Sequence, residues 1–163
     1  MEKLTRSLFK DDTFRLAVLL AHTVEAILKV RQKELHQIEM TREKTGLLFM
    51  IDFSNNTAKP SELARWIFRE PNAVTGLLNR MEKEGLVRRV KDLDKKNFVR
   101  VEMTKKGREH YQKAVQTTSI RKILFSLTEI QRKQLEVALE ILWEAALREL
   151  GMKWQPAFPE LIE

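Results

Sequence analysis

The residues best suited to chemistry in this chain lie between positions 60 and 108, and that chemistry is recognition of a polyanion rather than bond-making. Asn72, Ala73, Thr75, Gly76, Asn79 and Arg80 are interleaved with Val74, Leu77, Leu78 and Met81. The spacing of those four apolar residues, i, i+3, i+4, i+7, marks the buried stripe of a helix, so the interleaved residues share its outward face. On such a face Asn can pair with adenine and Arg with guanine in a DNA major groove, while Thr reaches bases or phosphates. Just downstream, residues 85–108 carry nine basic side chains: Arg88, Arg89, Lys91, Lys95, Lys96, Arg100, Lys105, Lys106 and Arg108. Only Asp92, Asp94 and Glu102 oppose them, so this stretch holds +6 of a whole-chain charge of +7. Charge gathered in this way is the footprint of a polyanionic partner. From charge alone, a solvated basic loop is the alternative.

Other chemistries find less support. The chain has no Cys, no Gly-rich phosphate loop and no His-Glu-x-x-His, so neither a thiol nucleophile nor those two motifs point to catalysis. Glu82 and Glu84 read more simply as helix-surface charges than as a catalytic pair. His22 and His36 fall on one helix, four turns or about 21 Å apart, too far to share an ion within one subunit. His110 could join either one only through tertiary folding, and unrelated histidines are the simpler reading. No enzyme activity, metal or cofactor is expected. Phe14, Phe49, Phe53, Trp66 and Trp143 are read as core residues or as the lining of an effector pocket between the terminal helices and the central lobe.

The elements that must position the outward face follow from periodicity and punctuation. With 163 residues, 43% hydrophobic and 33% charged, and only 5 Gly and 4 Pro, the chain favours helices over a turn-rich β fold. No apolar run reaches the roughly 18–20 residues of a membrane span, and the amino terminus lacks a signal peptide's apolar stretch. A cytoplasmic protein without a membrane partner is expected. Phe14, Ala17, Val18, Ala21, Val24, Leu28, Leu35 and Ile38 predict a long first helix over 12–40, capped by Asp12 or Thr13. A helix of about 40 Å is longer than a small domain covers by itself, so part of it is expected to meet a second subunit. Thr41 caps a second helix that ends at Ser54-Asn55-Asn56, and residues 57–59 leave room for a short strand. Pro60 opens a third helix, with Ser61 in its first turn, and Pro71 opens a fourth that stops at Gly85.

Residues 98–103 alternate apolar Val99, Val101 and Met103 with Phe98, Arg100 and Glu102, which predicts a strand paired to 86–90 in a basic hairpin. Thr104 begins a fifth helix whose run through Ile120 to Phe125 is either continuous or broken near 117–119. Thr128 and Gln131 form a capping box for a last helix carrying Leu135, Ala138, Leu142 and Ala146. The tail, with Trp154, Phe158, Leu161 and Ile162, is apolar for a terminus.

This order of elements is a winged helix-turn-helix, and the chain resembles the MarR family of regulators. The resemblance rests on Ser61-Glu62-Leu63-Ala64, Ala73-Val74-Thr75 and residues 78–87 (Leu-Asn-Arg-Met-Glu-Lys-Glu-Gly-Leu-Val). It continues in Asp92-Leu93-Asp94-Lys95-Lys96 and in residues 101–107. It covers nearly the whole chain and rests on the ordered set rather than on one motif. It implies a mostly α fold with a small β-wing, a winged helix-turn-helix flanked by long N- and C-terminal dimerisation helices. It also implies a single domain, 1–163, with a lobe at 41–103 (core 57–103) and dimerisation helices at 12–40 and 104–163. The implied partners are double-stranded DNA, a second copy of the chain and a small-molecule effector.

Ser61, Asn72, Ala73, Thr75, Gly76, Asn79, Arg80, Lys91, Lys95, Lys96, Asn97 and Arg100 are the expected DNA-contacting residues; Phe14, Val18, Leu28, Leu135 and Leu142 are the expected dimer contacts. Two departures from the family pattern stand out. Lys96 (or, in the other alignment, Asn97) replaces the Arg that follows the wing's Asp by two residues, and Gly76 replaces a longer polar side chain. The rival reading is a winged-helix module that binds protein, against which the basic hairpin and polar helix face both argue.

Overall fold

The computed structural model describes residues 11–91, 99–116 and 118–152. In order these form α1 (Asp12–His36), α2 (Arg42–Phe53), α3 (Pro60–Trp66), α4 (Pro71–Lys83), β1 (Val87–Lys91), β2 (Val99–Met103), α5 (Lys105–Val115), α6 (Ser119–Leu124) and α7 (Glu129–Glu149). The fold is mostly helical with one small antiparallel hairpin, as the sequence implies. The wing tip and the apolar tail expected from the sequence lie outside the described residues.

The helices begin where an acceptor or a proline stands. The cap of α1 is Asp11, one residue before the expected Asp12 or Thr13: its Oδ1 accepts from the amides of Thr13 at 2.8 Å and Phe14 at 3.3 Å. Asp12 is already helical and instead accepts from the Arg15 guanidinium. The helix ends at His36, short of residue 40, because Glu39 turns left-handed (φ 57°) and brings Met40 into the core. Thr41 accepts from Lys44 N and caps α2, and Thr128 and Gln131 close the expected box on α7. Pro60 and Pro71 open α3 and α4, where a missing amide costs no helical bond. Gly85, at φ 74°, stops the chain after α4.

β1 and β2 pair antiparallel with Arg88 opposite Glu102 and Val90 opposite Arg100. The expected short strand at 57–59 is reduced to one backbone bond, from Val101 N to Ala58 O at 2.9 Å. It extends no further because Lys59 N is taken by the Glu62 carboxylate and Pro60 has no amide to offer. Thr104 donates to the Gly85 carbonyl at 2.6 Å and accepts from Gly107 N, joining the hairpin to α5. Of the two alternatives for the fifth helix the structure takes the broken one: α5 ends at Val115 and α6 begins at Ser119.

The core lies within the lobe. Leu47, Leu48, Ile51, Leu63, Leu78, Met81 and Val101 are each fully enclosed, and Leu35 and Ala114 bring the ends of α1 and α5 into the same cluster. The remainder of α1 and all of α7 lie outside it: Leu35 is the only buried residue of the one, and Leu147, the only buried residue of the other, is not part of this cluster.

Candidate nucleic-acid interface

The buried stripe on α4 fixes what the helix displays. Val74, Leu77, Leu78 and Met81 are buried, while Asn72, Ala73, Thr75, Asn79 and Arg80 are exposed and Gly76 is half-exposed. All six expected residues thus share one solvent-facing surface. The Thr75 hydroxyl donates to the Pro71 carbonyl at 2.9 Å, which leaves its oxygen as an acceptor. Among the described residues, the side chains of Asn79 and Arg80 have no hydrogen-bond or ion-pair partner. Ser61 is exposed in the first turn of α3.

The hairpin's basic residues are arranged differently from the sequence count. Glu102 receives two guanidiniums, Arg88 Nη2 on Oε2 at 2.7 Å and Arg100 Nη2 on Oε1 at 2.9 Å. The hydrogen bonds from Arg88 and then Arg100 hold the Glu102 carboxyl below its ordinary range, against a desolvation that pushes it up. Arg89 lies along α4, its Nη1 2.7 Å from Glu82 Oε2 and its backbone amide donating to Glu82 Oε1 at 3.0 Å. Arg108 pairs with Asp52 at 3.1 Å, and Lys106 donates to the Glu84 carbonyl at 2.8 Å. Lys91 is exposed and without a partner among the described residues. Lys95, Lys96 and Asn97 lie outside the described residues.

Sequence reasoning gave Glu82 no role, yet it fastens the wing to the outward-facing helix. Arg89 lies seven positions further along the chain, in β1 rather than α4, so no single helical or strand periodicity joins the two.

Among the described residues, two sets of aromatic contacts stand out. Phe49 and Phe53, one turn apart on α2, stack at 6.1 Å, and Phe53 meets Trp66 edge-on at 5.8 Å. Phe53 and Trp66 line an open cleft of about 330 Å³ inside the lobe, between α2 and α3, with Glu62 and Arg65 at its polar side. Trp143 packs instead on Phe68 at 5.5 Å, and Phe14 is not part of the cleft. Among the described residues no group of three His, Asp or Glu is placed to hold a metal ion, and no helix is long and apolar enough to cross a membrane.

The expected dimer contacts are open in the single chain. Phe14 is 36% exposed, Leu135 37% and Leu142 50%, with Val18 and Leu28 half-buried.

Comparison with known proteins places this geometry. Residues 40–98 match a family model described as the MarR family. The chain is similar to the organohalide-sensing transcriptional regulator RdhR solved with 2,4-dichlorophenol, at 26% identity over 89% of this chain and 87% of that one, with a TM-score of 0.77. It is also similar to the M. tuberculosis transcriptional regulator MosR, at 26% identity over 80% and 93% of the two chains, with a TM-score of 0.62. A mutant of E. coli MarR complexed with operator DNA shares the fold at 20% identity, over 81% and 96% of the two chains, with a TM-score of 0.72. None of the curated protein sequences matches. From the stripe of α4 through the hairpin, residue pattern, family model and fold agree: residues 40–98 match the MarR family, and the chain is a MarR-like winged helix-turn-helix similar in fold to transcriptional regulators.

Proposed function

We propose that the protein is a homodimeric, sequence-specific DNA-binding repressor, a regulator and not an enzyme, working as one unit with its lobe at 41–103 and its dimerisation helices on either side. The observation that carries the reading is the face of α4. Thr75, Asn79 and Arg80 stand exposed above a fully buried stripe, and neither Asn79 nor Arg80 is engaged elsewhere among the described residues. A helix held rigidly from behind, with donors and acceptors free in front, meets what a major groove about 12 Å wide requires. Ser61, Asn72, Ala73, Gly76, Lys91, Lys95, Lys96, Asn97 and Arg100 complete the proposed DNA contacts. Arg100 must leave Glu102 to reach a phosphate.

Exposed apolar residues on α1 and α7, with Phe14, Val18, Leu28, Leu135 and Leu142 among them, support the dimer. Two lobes carried in this way set their recognition helices one DNA turn apart, roughly 34–36 Å. A small molecule that binds one arrangement of the lobes better than the other shifts the protein off its operator. The bound dichlorophenol of the similar regulator RdhR supports a small apolar effector, and the α2–α3 cleft offers a place for one.

The test is binding of the purified chain to DNA from upstream of its own gene, measured by anisotropy against a scrambled duplex as salt is raised. Preference for the upstream DNA is expected. Equal binding to both duplexes overturns sequence specificity, and no binding at low salt overturns the DNA reading.

A further inference from the structure

Two stretches of chain join the terminal helices to the lobe, and one pair of side chains ties both together. Leu35 seats the end of α1 in the lobe core, and Ala114 seats the end of α5 in the same cluster. Arg31 and Glu34 lie one turn apart on α1, just before that anchor, and are only 15% and 22% exposed. Arg31 Nη2 donates to the Ala114 carbonyl at 2.8 Å, across 83 positions of sequence. Glu34 turns to the far side of the break between α5 and α6. It accepts from Thr118 N at 2.7 Å, from Ser119 N at 3.2 Å and from the Ser119 hydroxyl. These amides open α6 and have no partner inside their own helix.

A carboxylate there also faces the positive end of the helix, while a guanidinium faces the carbonyls that close α5, so each charge suits its terminus. Arg31 Nη1 and Glu34 Oε2, 3.8 Å apart, complete the clamp. By contrast, the side chains of Gln116 and Thr118 are exposed.

We propose that Arg31 and Glu34 are positioning residues for DNA binding, fixing the angle at which the terminal helices leave the lobe and hence the separation of the two recognition helices. The inference rests on the dimeric reading above. With the clamp in place the junction is one rigid joint. Without it, Leu35 and Ala114 still anchor a folded lobe, but α6 is no longer held to α1 through Thr118 and Ser119. Neither residue touches DNA in this account; both act through the geometry of the joint.

The chain has no Cys, so a single label can be placed cleanly. Lys83→Cys, at the exposed end of α4, carries a spin label, and the distance between the two labels of the full-length dimer is read by pulsed dipolar spectroscopy. The unmodified joint is expected to give one narrow distance. Glu34→Gln is expected to lose it, giving a broad distribution, while light scattering still reports a dimer. The same variant is expected to lose the wild-type preference for one spacing between operator half-sites. Ser119→Ala deletes only the hydroxyl and carries the test should Glu34→Gln fail to fold, with a smaller broadening expected. A wild-type distance distribution in either folded, dimeric variant overturns the proposal. A wild type that is monomeric by scattering and gives no dipolar signal overturns the dimer itself, and this inference with it.

Discussion

In the lobe, the apolar side chains of α2, α3 and α4 meet one another across a core in which Leu47, Leu48, Ile51 and Leu78 are completely enclosed. In α1 and α7, side chains of the same chemistry stay open: Leu19 is 61% exposed, Ile141 62% and Leu142 50%. Both regions are helical and amphipathic, so helix formation does not separate them. What separates them is whether the chain itself supplies the covering surface. A single small lobe can close around short helices. A helix of 25 residues, such as α1, projects beyond anything the lobe can reach. Among the described residues the lobe thus closes a core of its own, with Leu35 and Ala114 added from its flanks, while the open apolar faces of the terminal helices support the proposed dimer.

The most severe way to break this contrast is to place a charge on the open face. Leu142→Asp sets an unpaired carboxylate in the proposed dimer contact, which costs several kcal/mol. Analytical ultracentrifugation should then show monomer, and melting should become independent of concentration. Leu48→Ala, in the closed core, should instead cost about 2–5 kcal/mol of lobe stability while the oligomeric state is kept. If Leu142→Asp remains a dimer, the open face is not the interface.

Asn79→Ala and Arg80→Ala act on the lobe's outer face, where no packing is at stake. Each should cost about 1–3 kcal/mol on the preferred operator and little on random DNA, by titration calorimetry or anisotropy. Equal losses on both would assign these side chains to phosphates and leave specificity to DNA shape.

Lys95 and Lys96 lie in the sequence between β1 and β2. Replacing both by Ala should lower the slope of log affinity against log salt by roughly 0.9 for each phosphate left without its lysine, or about 1.8 for one such phosphate per subunit. An unchanged slope in a folded dimer removes the wing from the DNA interface.

The smallest effect is on acid stability. Desolvation pushes Glu34 up, yet the Ser119 and Thr118 hydrogen bonds and Arg31 together hold it below its ordinary value; Glu102 is held low by Arg88 and Arg100. A carboxyl lowered by folding adds stability that is complete above its unfolded pKa. That stability is lost as pH falls through the folded one. Glu34→Gln and Glu102→Gln should each flatten the acid limb of the Tm–pH curve and leave its neutral-to-basic limb unchanged in shape. A wild-type acid limb in both variants would show that neither pair contributes.

The same contrast explains what could be read from the sequence. The α4 stripe, the prolines that open α3 and α4, Gly85 and the Thr128–Gln131 box are local signals, complete within one helix or turn. Each appears in the structure where expected. The cap of α1 shifted by one residue because Asp11 and Asp12 offer the same chemistry side by side. The break after α5 was legible only as an alternative, since Arg31 and Glu34, which hold it, lie more than 80 positions away. Counting charges placed +6 on the hairpin, but the structure engages Arg88, Arg89 and Arg100 with Glu102 and Glu82. Long-range pairing of this kind leaves no periodic trace.

Gly76 gives the outward face of α4 one further property. A Cβ built there meets nothing within 4 Å, whereas at Gly107 it would lie 2.0 Å from the Leu86 carbonyl oxygen. One glycine is fixed by its surroundings and the other is not. Inside a helix, glycine is worth about 0.5–1 kcal/mol less than alanine, so position 76 accepts a side chain with a gain in stability. It sits among the exposed Ala73, Thr75, Asn79 and Arg80, so a new side chain there enters the proposed DNA face and not the core. A substitution at position 76 is therefore one that the fold tolerates, on the face proposed to meet DNA, so that contact and stability can be changed there independently.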